Sequence, residues 1–335
     1  CVMGLRVLEV NKAYYPHTGG IETLVRQYAE RLGGIGGVSV ETLVCRDSFG
    51  RSYADCVGGR RIIRCGRLGT VAGCPISFSF LHRFRGLAKS ADVVHINVPF
   101  PLADIALLLS GYRGRVAVSW HSDIVRQKRL LRLYRPILRY LLRRADVITV
   151  ATEGHIDGSD FLPDFREKCV IVPYGIDTGK YLSAVRRPIL TRLLNDKGAV
   201  KLLFVGRLVY YKGLDVLLRA MRLTEGCELF AVGRGVLGDE LRAECGRLGL
   251  GKRVHFMGQL SDSALKAAFA DCDIFVLPST EKSEAFGIVQ LEAMVYGKPV
   301  INTSLPSGVP YVSIDGVTGI TVPPSDPTAL AEAVM

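Results

Sequence analysis

Two stretches in the second half of the chain combine residue types that can hold a diphosphate. The first is Val205-Gly206-Arg207-Leu208-Val209-Tyr210-Tyr211-Lys212-Gly213, where an apolar run ends in Gly206 and Arg207, and Lys212 follows five residues later at a helix start. Breaking a sugar–diphosphate bond releases a group whose growing negative charge must be neutralised in place. Arginine offers a planar fork to phosphate oxygens and lysine a mobile point charge, so the pair suits that task. Two solvated loop cations are the plain alternative.

The second stretch is Glu284-Ala285-Phe286-Gly287-Ile288-Val289-Gln290-Leu291-Glu292. Its first carboxylate stands in a loop and its second about two turns inside the helix that follows. The amides of Gly287, Ile288 and Val289 are expected to point out of the helix start, where an anion is favoured. One carboxylate can accept hydrogen bonds from sugar hydroxyls and the other can grip a ribose. An ordinary stabilising Glu near a helix start is the alternative.

These residues need a frame, and the hydrophobic pattern supplies one. Strands are predicted at 6–10, 39–45, 93–98, 115–120, 147–151 and 169–173, then at 201–205, 228–232, 254–257, 274–277 and 299–303. Helices are predicted at 21–32 and 125–144, then at 213–222, 237–248, 262–269 and 287–296. Continuous apolar strands alternating with amphipathic helices indicate α/β folding with parallel sheets covered on both faces. The pattern restarts near residue 200, after Tyr174-Gly175-Ile176-Asp177-Thr178-Gly179 and then a polar, basic stretch to Gly198. We therefore expect two doubly wound, Rossmann-like domains, 1–180 and 181–335, with ligands at the carboxyl ends of the strands and in a cleft between the domains.

Taken together these stretches resemble glycosyltransferase family 4, whose E-x7-E motif matches Glu284 and Glu292. The likeness extends through Leu277-Pro278-Ser279, Glu292-Ala293-Met294, Gly297-Lys298-Pro299-Val300-Ile301, Gly316-Val317-Thr318-Gly319 and Val322-Pro323-Pro324. In the first half, Tyr15-Pro16-His17-Thr18-Gly19-Gly20-Ile21-Glu22 is similar to the family's first glycine loop, and Trp120-His121-Ser122-Asp123 to its histidine after a strand. The resemblance implies a GT-B fold and a retaining transfer of a hexose from a nucleotide-diphosphate sugar to a hydroxyl of a lipid-linked or growing glycan. A mannosyl donor with GDP is the first expectation, with no further cofactor. It also implies roles. Arg207 and Lys212 bind the donor diphosphate, Glu284 holds hydroxyls of the transferred sugar with amides around Phe286 and Gly287, and Glu292 binds the ribose. Gly19 and Gly20 let backbone approach the phosphates, and His121 contacts the sugar near the reacting carbon. Base recognition is expected near Gly258, Gln259 and Leu260. A GT-B epimerase or hydrolase would consume donor without an acceptor, and a non-catalytic sugar-binding protein would need an export signal. Family members usually continue through a last helix crossing back to the first domain. This chain stops at Met335, just inside the helix opened by Asp326-Pro327, so the expectation is a truncated form.

Composition narrows the partners. Of the net +11 charge, residues 1–180 hold most, with 26 Lys/Arg against 16 Asp/Glu, while 181–335 hold 17 against 16. The densest part, 125–144, alternates Arg126, Lys128, Arg129, Arg132, Arg135, Arg139, Arg143 and Arg144 with leucines, a basic amphipathic helix suited to an anionic membrane surface. A packed helix with a basic outer face is the alternative. No aromatic-studded basic groove accompanies it, so no nucleic acid is expected. With no secretory signal and no clean apolar span, the reading is a cytoplasmic chain, peripheral on the inner face of the membrane. The nine cysteines include no C-x-x-C pair and are read as buried or idle thiols. Gly233-Arg234-Gly235-Val236-Leu237-Gly238 matches a dinucleotide fingerprint, but Val254 to Gln259 lacks the acid such a site needs. Asp271-Cys272-Asp273 is read as a cap or strand-edge element, and no essential metal is expected.

Overall fold

The computed structural model describes residues 4–17, 19–124, 128–183 and 187–335; Thr18, Val125 to Gln127 and 184–186 lie outside the described residues, as do the side chains of Lys128 and Arg129. The chain divides into two compact units, residues 1–173 and 174–335, seven residues earlier than the boundary expected from the sequence.

The first unit runs β1 (Leu5–Val10), α1 (Gly20–Leu32), β2 (Val38–Phe49), β3 (Tyr53–Val57), β4 (Arg60–Arg67), β5 (Gly69–Val71), β6 (Cys74–Ile76), α2 (Phe78–Ala88), β7 (Val93–Val98), α3 (Pro101–Ser110), β8 (Arg115–Trp120), α4 (Lys128–Arg144), β9 (Val147–Val150), α5 (Glu153–Asp157) and β10 (Cys169–Ile171). Its main sheet has the order β10-β9-β8-β7-β1-β2-β4-β3. All neighbours are parallel except β3 and β4. Leu8 and Val10 face one core with Phe80, Phe84 and Phe100, while Val7 faces another with Val25 and Ala29 of α1.

The hairpin β3–β4 is absent from the sequence expectation. Arg60, Arg61, Arg64 and Arg67 break its apolar pattern, yet Arg64 is buried and its guanidinium is paired with Asp55 at 3.1 Å. The turn signal was Gly58-Gly59, both in the left-handed region as a tight hairpin requires.

The second unit runs α6 (Thr178–Leu182), β11 (Val200–Val205), α7 (Leu214–Leu223), β12 (Cys227–Val232), α8 (Gly238–Arg247), β13 (Val254–Gly258), α9 (Asp262–Asp271), β14 (Ile274–Val276), α10 (Val289–Val295), β15 (Val300–Thr303), α11 (Val309–Val312), β16 (Gly319–Val322) and α12 (Pro327–Val334). The sheet is wholly parallel, in the order β13-β12-β11-β14-β15-β16. β12 is buried at every residue, as a central strand covered on both faces should be. Two side-chain caps begin helices where the sequence suggests: Ser261 accepts from Ala264 N, and Asp326 from Thr328 N and Ala329 N.

Candidate functional site

In the second unit the chain leaves β11 toward β12 on one side and returns at β14 on the other, so β11 and β14 flank the point where strand order reverses. Loops leaving such neighbours diverge and open a crevice at their carboxyl ends. Both predicted stretches sit there: Gly206 to Lys212 follows β11, and Leu277 to Ile288 follows β14.

The two loops are tied together. Thr280 N donates to Tyr211 O at 2.8 Å. Gly213 has φ +66°, and a Cβ there would lie 2.0 Å from Pro278 O, so only glycine permits this approach. The tie brings Lys212 to Glu284. Their side chains form an ion pair, and each residue is only 8% exposed. Ser279 Oγ, fully buried, donates to the same Glu284 oxygen at 3.0 Å. A buried ion pair with a supporting hydroxyl is held at a cost in desolvation, and removing either partner leaves an uncompensated charge. Arg207 is exposed at the rim, its Nη2 donating to Tyr211 OH at 3.0 Å. Neither Ser279 nor Tyr211 carries a role from sequence; Ser279 is signalled only by the Leu277-Pro278-Ser279 run and Tyr211 only by its place beside Lys212.

Beyond Glu284 the expected helix start needs correction. Gly287 has φ +70° and stands before the helix, which begins at Val289. A Cβ on Gly287 would lie 2.5 Å from Leu277 Cδ2, so the residue turns the loop across the end of β14. The first bonds of the ladder come from Gln290 N to Gly287 O and Leu291 N to Ile288 O, so the amides of Gly287, Ile288 and Val289 precede it. The Gln290 side chain locks the turn by donating to Phe286 O and accepting from Asn302. Phe286 is buried edge-on against Tyr174, ring centroids 4.8 Å apart. Glu292 differs from expectation in having a protein partner: its Oε1 accepts from Tyr181 OH at 2.7 Å. Burial raises the Glu292 pKa above the ordinary carboxylate value, against the Tyr181 hydrogen bond and nearby Lys266 that lower it.

In the first unit His121 follows β8 and is buried, with its Nε2 2.8 Å from Asn97 Oδ1. Burial, reinforced by His95 and His155, pushes its pKa down to about 3. Gly20 opens α1, and Gly19 precedes it in extended conformation. The two rejected strings have structural roles. A Cβ on Gly233 or Gly235 would lie 1.9 Å from Gly206 O or 2.2 Å from Leu208 O, so these glycines make room for the loop after β11. Asp271 caps Leu190 and Thr191, and Asp273 accepts from Lys201 N.

The basic helix is α4. Leu138, Leu141 and Leu142 are buried in the core, while Leu130 and Leu133 are exposed. Among the described residues, three of its arginines act within the unit. Arg139 pairs with Asp164 at 2.7 Å, Arg144 with Asp146 at 3.4 Å, and Arg135 lies over the Phe161 ring. Exposed Arg132 and Arg143 remain on the outer face with Leu133. Among the described residues no helix is long and apolar enough to cross a membrane. The described cysteines are all free, and Cys45, Cys65, Cys227, Cys245 and Cys272 are buried.

Comparison with known proteins places this geometry. A profile described as Glycosyltransferase Family 4 matches residues 18–180, and one described as Glycosyl transferases group 1 matches 186–335. The chain is 37% identical over 335 residues to D-rhamnosyltransferase WbpZ of Pseudomonas aeruginosa, spanning 98% of this chain and 86% of that protein. It is 33% identical over 333 residues to O-antigen chain mannosyltransferase C of Escherichia coli, spanning 98% and 88%. Among solved structures, sucrose-phosphate synthase from Thermosynechococcus elongatus superposes with a TM-score of 0.76 at 22% identity, covering 98% of this chain and 88% of that one. A paired cation and carboxylate at the strand-order reversal, on a fold shared with such enzymes and in a sequence similar over 98% of its length to two sugar transferases, leads to one assignment: the chain belongs to glycosyltransferase family 4 and has the GT-B type of fold.

Proposed function

We propose that the chain transfers a hexose from a nucleotide-diphosphate sugar to a hydroxyl of a lipid-linked or growing glycan, with retention at the anomeric carbon. The observation that carries the proposal is the meeting of Lys212, Glu284 and Ser279 beside Arg207 at the end of β11 and β14. In this reading Arg207 and Lys212 neutralise the departing diphosphate, Glu284 and the amides from Phe286 to Val289 hold sugar hydroxyls, and Glu292 binds the ribose. Gly19 and Gly20 take the roles toward the phosphates, and His121 the role toward the sugar, that the family resemblance implies. The acceptor oxygen bonds to the anomeric carbon on the face the phosphate leaves; the carbon–phosphate-oxygen bond breaks, and the acceptor proton passes to the departing phosphate. No side chain acts as nucleophile and no metal takes part.

The names of the two relatives favour a manno-configured donor, since D-rhamnose is 6-deoxy-D-mannose. GDP-mannose is the first donor to test. The outer face of α4, with Arg132, Leu133 and Arg143, is proposed to rest on an anionic membrane surface on its cytoplasmic side, where a lipid-linked acceptor would lie. Purified chain is to be incubated with GDP-, UDP- and ADP-sugars, with and without a lipid-linked glycan, and nucleoside diphosphate release and product anomer recorded. Release only with acceptor, and an anomer matching the donor's, supports the proposal. Release without acceptor turns it to a hydrolase or epimerase, and an inverted anomer removes retention.

A further inference from the structure

A parallel sheet covered on both faces ordinarily carries apolar side chains throughout its centre. On the α1 face of the first sheet a row of polar ones runs across four strands instead. Glu9 on β1 is the register neighbour of His95 on β7, Asn97 of Ser119 on β8, and Ser119 of Thr149 on β9. Glu9, Asn97 and Ser119 are at most 3% exposed. The side chains bond in one line. Ser119 Oγ is 2.8 Å from Thr149 Oγ1 and 2.7 Å from His95 Nε2, and His95 Nδ1 is 2.6 Å from Glu9 Oε2. Burial opposes a charged His95, yet the Glu9 carboxylate, by its charge and hydrogen bond, lifts the His95 pKa above its ordinary value.

The other Glu9 oxygen sets a direction. Asn97 Nδ2 donates to Glu9 Oε1 at 2.5 Å and to Val10 O at 3.1 Å. Two acceptors on that side hold the amide nitrogen there, so the amide oxygen faces His121 Nε2 at 2.8 Å. An oxygen with no hydrogen to give requires that Nε2 carry one. Burial first, and then the like-signed influence of His95 and His155, opposes a second proton on the His121 ring.

We infer that Asn97 is a positioning residue of the site: anchored by Glu9 and the Val10 carbonyl, its amide oxygen holds His121 as an uncharged imidazole protonated on Nε2. Nδ1 then carries a lone pair rather than a proton, so His121 has no Nδ1 proton to give a sugar hydroxyl. That last consequence rests on the proposed sugar contact; the tautomer does not.

The test is nitrogen-15 NMR of the full chain labelled at histidine, beside turnover with the donor and calorimetry with GDP. Wild type should show His121 neutral and Nε2-protonated from about pH 8 down to about pH 5. Asn97→Leu removes the acceptor oxygen, so the hydrogen-bonded Nε2–H signal should vanish, and kcat should fall roughly 10- to 100-fold while GDP affinity stays within about twofold. Asn97→Asp sets a carboxylate against Nε2, so the His121 titration should move to higher pH. A wild-type spectrum showing an Nδ1–H tautomer or a titration in that window overturns the inference, whatever the variants do. So does an Asn97→Leu spectrum indistinguishable from wild type. A wild type that shows the Nε2–H signal but transfers no sugar supports the tautomer and counts against the proposed reaction.

Discussion

Gly213 offers a sharp test of whether contact between the two charged loops holds the site together. Gly213 and Gly297 share a left-handed backbone, φ +66° and +68°, but differ in surroundings. A Cβ on Gly213 would meet Pro278 O at 2.0 Å, whereas nothing lies within 4 Å of one on Gly297. Alanine in that backbone region costs about 1–2 kcal/mol at either position. At Gly213 the Pro278 carbonyl must also retreat by about 1–1.5 Å to ordinary contact distance. That movement breaks the bond from Thr280 N to Tyr211 O, now 2.8 Å, which adds about 1 kcal/mol. Gly213→Ala should therefore cost about 2–3 kcal/mol against 1–2 for Gly297→Ala, and lower the melting temperature by roughly 4–12 °C against 2–8 °C. The functional contrast should be larger, because displacement of the loop separates Lys212 from Glu284. Calorimetry with GDP should show at least about tenfold weaker binding for Gly213→Ala and no change for Gly297→Ala. Equal melting and equal GDP affinity in the two variants would refute the reasoning.

Arg207→Ala removes an exposed guanidinium, so melting should hold while nucleoside diphosphate affinity falls roughly 10- to 100-fold by calorimetry, the worth of a charge-assisted hydrogen bond or two. Lys212→Met and Glu284→Gln should each destabilise by about 3–5 kcal/mol in urea, and the double variant by less than their sum; strict additivity would deny the pairing. Burial holds His121 at about 3 and His155 at about 4, below the ordinary histidine value of about 6.5. Unfolded imidazoles thus bind protons first: their stability is whole above about pH 6.5 and drains as pH falls toward 4, up to about 1.4 kcal/mol per pH unit for each. His95, raised by Glu9, has the opposite sign and loses its share as pH rises above its unfolded value. His155→Gln should flatten the fall in melting temperature between about pH 6.5 and 4.5, and an unchanged slope contradicts the assignment. Reversing Arg132 and Arg143 to Glu should weaken sedimentation with phosphatidylglycerol vesicles roughly 10- to 100-fold, at about 1 kcal/mol per lost cation; unaltered binding removes α4 from the membrane.

What could be read from the sequence tracks how purely each segment follows one physical rule. Central parallel strands such as β11 and β12 are continuous apolar runs, and their position follows directly. The hairpin of β3 and β4 was hidden because buried Arg64 reads as surface charge until its pairing with Asp55 is known. β16 is only four residues long and sits at the sheet edge. At the candidate site, Arg207, Lys212 and Glu284 are legible because charge at a strand end is conspicuous; Lys212 and Glu284 pair, and Arg207 lies on the same loop as Lys212. The Tyr181 partner of Glu292 and the Asn97 partner of His121 are not legible, since each hydrogen bond joins residues far apart in the chain. The start of α10 slipped by two residues because Gly287 continues the apolar periodicity without adopting helical backbone.

The contact between Thr280 and Tyr211 spans 69 residues, and Thr303 on β15 braces the same loop by donating to Ser279 O at 2.6 Å. During synthesis, then, a ribosome that has released everything through Lys212 has produced the cations but no pocket for them. Under the proposed donor role, capacity to capture nucleotide should emerge late and abruptly, once the strand bearing Thr303 has docked. A nascent chain stalled earlier should ignore GDP, and ligand capture would serve as a folding clock for the entire carboxyl-terminal half.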